Sequence, residues 1–256
     1  MPGIEVLNPE DGDPALPALA PADLSQEILR KARAITAPEQ CARLDGLTRQ
    51  LRGVDPATIE PDAARIAFWA NLYNALLLHC LCLRPVRGSM LRHLRLFAKI
   101  AYDVDEHRYT LNDIEHGVLR RNRRAPFHLR RPLQHHDPRL TATLSCLDPR
   151  VHFALNCGAR SCPPIQVYST AELDGQLELA TRSYLQQETK VDLERRQITL
   201  PRLMRLYAAD FGNRAEQLRF AARYLPEVAA RVREHRAELR VSYGRFDWTA
   251  TTGSSA

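Results

Sequence analysis

One short stretch, Asp148 to Pro164, carries a histidine, His152, and two cysteines, Cys157 and Cys162. A cysteine attacks as its thiolate, which a nearby imidazolium or a set of backbone N–H groups stabilises. Cys157 precedes Gly158 and Ala159, which permit a sharp turn and close approach of a ligand. Amides of such a turn can also hold an oxyanion. Cys162 precedes Pro163 and Pro164, which stiffen the chain and remove two donors. This favours Cys157 as nucleophile and leaves Cys162 beside it. Asn156, Arg160 and Ser161 lie on the same loop and are candidate substrate contacts, and Arg150 and Arg160 suit an anionic group.

Two histidines compete as base. His152 lies five residues before Cys157 in an apolar run, Val151 to Leu155, that reads as a buried strand. Strand alternation then turns His152 and Ala154 to one face and Val151, Phe153 and Leu155 to the other. His116 lies in an expected helix, Ile114 to Arg121, with Asp113 and Glu115 beside it. A carboxylate is what orients a catalytic imidazole. On an α-helix Asp113 shares the side of His116, whereas Glu115 faces about 100° away. The basic run after it, Arg120, Arg121, Arg123 and Arg124, reads as a solvated face.

These groups need elements to hold them. Pro61 to Leu83 is an expected central helix, apolar on several sides, with Asn71 and Asn74 three residues apart on one face. Buried amides must find hydrogen bonds, so these two either tie down loops or line the site and donate to a substrate. Helices are also expected over 24–35, 38–52, 90–101, 171–187, 201–210, 213–224 and 226–238. Hairpins are expected over 101–111 and 190–200, an extended piece over 165–168 and a last strand over 241–248. Residues 1–22 read as a loose arm, 23–248 as one globular domain and 249–256 as a frayed tail. Helix runs around a few short strands give an α+β class: a helix-rich domain about a small, mainly antiparallel sheet.

Three motifs carry a resemblance. Phe68 to Asn74 resembles FWxNxYN, Leu111 to Arg120 resembles LNDIEHxxLR, and Asp148 to Pro163 resembles DPRxHFALNCGAxSCP. Together they are similar to the domain-of-unknown-function family numbered 547, over about residues 60–248. The resemblance implies site candidates and no established reaction. Its Cys and His content implies a likeness to papain-like or transglutaminase-like folds and thiol enzymes.

A net charge of +6 is spread along the chain with few aromatics near it, so no nucleic-acid partner is expected. No cluster has zinc-ligand spacing, and neither metal nor cofactor is expected. The apolar segment Phe68 to Leu83 is interrupted by Asn71, Asn74 and His79, so no membrane span is expected. Six cysteines in 256 residues are unlike a disulfide scaffold, which points to a reducing cytoplasm. Three functions compete. The first is a thiol enzyme acting on an amide, ester or thioester of a small or peptide-like, anionic substrate. Cys157 would attack, His116 or His152 would take the proton, and Asp113 or Glu115 would orient the ring. The second is a redox module using Cys157 and Cys162. The third is a non-catalytic binding or scaffold domain.

Overall fold

The computed structural model describes residues 3–8, 10, 17–126, 128–192, 194–235 and 239–251. The fold is α+β and rich in helix. The chain forms two compact units, Met1–Asp174 with Trp248–Ala256, and Gly175–Asp247.

The first unit is built on α3 (Asp62–Leu83), which follows β1 (Glu5–Val6), α1 (Pro21–Ala34) and α2 (Asp45–Gln50). Ile66, Phe68, Trp69, Leu72, Tyr73, Leu76 and Leu77 point round the full circumference of α3, and all are buried. A helix that is apolar on every side must be a core helix or a membrane span. By length and composition α3 could be either; 78% of its most apolar window is buried in this unit. Trp69 packs on Tyr109 with ring centroids 4.6 Å apart.

The sheet of this unit has the order β1-β2-β3, with β2 at Ile100–Val104 and β3 at His107–Thr110. The β2–β3 hairpin pairs Ala101 with Thr110 and Val104 with His107, as its alternation predicts. β1 pairs parallel to β2, Glu5 with Ile100 and Val6 with Ala101. The leading segment expected to be a loose arm thus lends a strand. Asn8 follows it in, donating to the carbonyls of Thr48 and Asp103 and accepting from the Asp103 N–H.

The second unit holds most of α4 (Leu173–Glu188), then β4 (Lys190–Asp192), β5 (Gln197–Leu200), α5 (Arg202–Leu206), α6 (Ala208–Phe211), α7 (Arg214–Tyr224), α8 (Pro226–His235) and β6 (Arg240–Tyr243). Its sheet order is β4-β5-β6, with an antiparallel hairpin and a parallel third strand. Asn213 and Glu216 form a reciprocal capping box on α7.

Three expectations need correction. The small, mainly antiparallel sheet is two mixed sheets, because each hairpin recruits a parallel strand from far away in sequence, which local periodicity cannot foresee. Val151 to Leu155 is no strand: Pro149–Phe153 forms a 3-10 helix, with the Asp148 carboxylate accepting from the Arg150 N–H and Pro149 in its first turn. Of the expected tail, Thr249 and Ala250 bridge to Ser89 and Ala159, while 252–256 lie outside the described residues.

Candidate functional site

The cysteine loop is held by asparagines. Asn74, fully buried on α3, donates to the Ala154 carbonyl at 2.9 Å and accepts from the Asn156 N–H at 3.0 Å. Asn156 in turn accepts from the Gly158 N–H at 2.6 Å and donates to the Pro163 carbonyl at 2.8 Å, closing the loop on itself. Gly158 sits at φ +79°, which an L side chain rarely adopts, and a Cβ there would meet Leu81 and Met90 at 3.1 and 3.2 Å. Residues near the other end of the chain seal the outer side. Arg160 N–H donates to the Thr249 carbonyl and Thr251 N–H to the Gly158 carbonyl, both at 2.9 Å.

This clamping brings the two sulfurs together. Cys157 and Cys162 are free thiols, half-buried, with their Sγ atoms 2.7 Å apart. The Cys157 N–H also donates to the Cys162 Sγ at 3.1 Å. The pair is therefore asymmetric. Burial pushes the Cys162 thiol up, but hydrogen bonds from the Cys157 thiol and from the N–H groups of Cys157 and Ala159 outweigh it and leave the group below its ordinary value. The hydrogen bond to Cys162, then burial, hold the Cys157 thiol well above its ordinary value. Elsewhere burial comes first: it pushes Cys80 up to about 11 and, with the hydrogen bond to Cys82, Cys41 up to about 12.

Beside the thiols lies a buried polar cluster on the segment Asp113–Leu119, which is wound as a π-helix. Glu115 is close enough for its charge to oppose ionisation of both thiols. Tyr73 of α3 donates its hydroxyl to Glu115 Oε2 at 3.1 Å. His116 Nδ1 faces Glu115 Oε1 at 3.6 Å and Arg120 Nη1 at 2.9 Å. A guanidinium only donates, so Nδ1 is the acceptor and the neutral ring carries its proton on Nε2. Burial lowers His116 to about 4; Glu115 opposes this, while Arg120, His152 and His128 reinforce it. His116 is thus a neutral imidazole and a weak proton acceptor. Arg120, 2% exposed, also donates to the Arg124 carbonyl at 2.9 Å.

The expected site residues divide into two groups. Cys157, Cys162, Glu115, His116 and His152 come together: Glu115 acts on both thiols, and His152, buried on the 3-10 turn, acts on His116. Others are committed elsewhere. Asp113 accepts from the Thr110 N–H and hydroxyl and pairs with Arg139 at 3.2 Å. Its expected alliance with His116 assumed α-helical winding; a π-helix bonds five residues apart and shifts the faces. Asn71 uses both ends of its amide on the backbone of Tyr168, at 2.8 and 2.9 Å, as Asn74 does on the loop. Arg150 is forked onto Asp148 and pairs with Asp174 at 2.8 Å. Arg160 is exposed and Ser161 half-buried on the loop surface. Two participants had no site role in the sequence reading, Tyr73 and Arg120. Arg120 stood in a run read as solvated, yet it lies four residues after His116 inside the LNDIEHxxLR pattern.

A family model described as "Protein of unknown function, DUF547" matches residues 57–185, half of the chain. The match takes in α3, the π-helix and the whole cysteine loop. No curated protein and no solved structure matches.

Proposed function

The chain belongs to the DUF547 family, and on that premise we propose that it is a dithiol protein whose Cys157 and Cys162 cycle between two thiols and a disulfide. The observation that carries this is the 2.7 Å approach of two free sulfurs in a loop clamped at both ends. The asymmetry supports a direction. Cys162, whose sulfur accepts from the Cys157 N–H, gives up its proton to water and attacks a disulfide R–S–S–R′ as thiolate; the S–S bond breaks, R′–S⁻ leaves, and Cys162 carries R in a mixed disulfide. Cys157 then gives up its proton to water and attacks the Cys162 sulfur, expelling R–S⁻ and closing the intramolecular bond. The substrate has been reduced by two electrons and the pair oxidised by two. The neutral His116 offers its Nε2 proton as a hydrogen-bond donor better than it serves as a base.

The test is exposure of the reduced protein to oxidised glutathione, read by mass spectrometry. Wild type should lose two hydrogens and yield a linked Cys157–Cys162 peptide. Cys157→Ser should stall with glutathione on Cys162. Glutathione arriving on Cys157 in Cys162→Ser, as fast as wild type reacts, would overturn the assignment, as would failure of any internal bond to form.

One observation favours a second reading. The Cys162 sulfur accepts from the Cys157 N–H at 3.1 Å, with Glu115 and His116 buried in the same cluster, and a hydrogen-bonded thiol is also what acyl transfer from an ester or thioester uses. In that case Cys162, rather than the Cys157 favoured by the local sequence, would take up an acyl group from an activated thioester, and Cys157→Ser would leave that acylation intact.

A further inference from the structure

A cleft of about 270 Å³ opens beside the cysteine loop. Leu77, Leu78 and Leu81 of α3 line it with Ile35 and Val86, and the loop contributes Asn156 and Gly158. A lining made mostly of aliphatic side chains suits an aliphatic chain better than a nucleotide or a peptide. No acidic side chain lines it, whereas two exposed arginines do, Arg33 and Arg87. Among the described residues neither is paired with a carboxylate, although Arg30 and Arg84, three residues away from them in sequence, both are. Two unmatched guanidiniums at an apolar cleft complement one kind of ligand, a chain with an anionic head. Guanidinium geometry matches a carboxylate through paired hydrogen bonds.

We infer that this cleft binds a medium-chain aliphatic carboxylate, its chain along the α3 leucines and its carboxylate on Arg33 and Arg87. The site stands apart from the dithiol chemistry, since nothing in it requires either sulfur of the loop.

Cys82 also lines the cleft and is half-buried, so it reports occupancy. The experiment follows alkylation of Cys82 by N-ethylmaleimide, peptide by peptide, with decanoate present in increasing amounts. Decanoate should slow Cys82 alkylation saturably, and acetate should not. The double variant Arg33→Gln, Arg87→Gln changes only exposed side chains, so it should fold and bind decanoate at least tenfold more weakly, a difference of about 1.4 kcal/mol; its affinity for decanol should be unchanged. Leu78→Trp should exclude both ligands. Cys157→Ser should protect Cys82 as wild type does, which separates failure of this site from failure of the dithiol reading. Cys82 alkylation indifferent to decanoate overturns the proposal, and so does equal decanoate affinity in the double arginine variant.

Discussion

Replacing Asn74 by alanine tests whether the cysteine loop is held from α3. The carboxamide is fully buried and satisfies two backbone groups, the Ala154 carbonyl at 2.9 Å and the Asn156 N–H at 3.0 Å. Alanine leaves both without a partner in a water-poor place. A buried polar group stripped of its hydrogen bond costs about 1–3 kcal/mol, so the pair costs roughly 2–6 kcal/mol. Against a typical total of about 5–15 kcal/mol this is severe. Asn71→Ala is the control, because Asn71 makes the same two-ended clamp on Tyr168 and should lose a similar amount. The two variants should differ in the thiols. Only Asn74 holds Asn156, which closes the turn between Cys157 and Cys162. Urea denaturation followed by circular dichroism gives the stabilities, and the rate of Cys157–Cys162 oxidation in folded protein gives the second readout. Asn74→Ala should be strongly destabilised and slow to oxidise; Asn71→Ala should be destabilised but oxidise at the wild-type rate. A loss under about 0.5 kcal/mol for Asn74→Ala, or equal slowing in both variants, refutes the reasoning.

Acid should destabilise the protein through two buried histidines. Burial lowers His79 and His116 from 6.5 to about 4, so from about pH 6.5 down to 4 the unfolded chain takes up protons that the folded one refuses. Stability present above pH 6.5 is therefore lost through that window, by about 3 kcal/mol for each histidine; urea midpoints across pH should show the slope, and His79→Gln should reduce it. Arg120→Met strips a partner from the buried His116 Nδ1, so it should lower stability by about 1–3 kcal/mol and raise the His116 pKa, followed by NMR titration. Gly158→Ala forces a side chain to φ +79° against Leu81 and Met90 and should lose about 1–3 kcal/mol in thermal or urea melts. Asp174→Asn breaks only an ion pair whose acid is 85% exposed, and should change stability by less than about 1 kcal/mol.

The legible parts of the fold were those written in short-range pattern. α3 announced itself by apolar residues at helical spacing, and both hairpins by alternation around polar turns, because each forms from neighbours in sequence. What misled was local pattern without its context. Val151 to Leu155 is apolar enough for a strand, but Asp148-Pro149 starts a 3-10 turn first. Arg120 looks solvated in a basic run, yet it is buried, its guanidinium on His116 Nδ1 and the Arg124 carbonyl. Asp113 looked like the partner of His116 only if the winding was α-helical.

By itself, then, the sequence determined which groups could react: a pair of cysteines on a short turn, two histidines, and acids and asparagines at helical spacing. Those follow from residue type and from separations small enough for local geometry to govern. Tertiary structure decided what each group does. It set the sulfurs 2.7 Å apart and turned the Cys157 N–H onto the Cys162 sulfur. It spent Asn71 and Asn74 on backbone, and made His116 neutral by burying it beside Arg120. The physical reason is that burial and hydrogen-bond partners come from residues tens of positions apart, and those fix a group's charge, tautomer and reach. The Asp148–Pro164 loop supplies the thiols, while α3, the π-helix and residues 249–251 hold them in place and surround them.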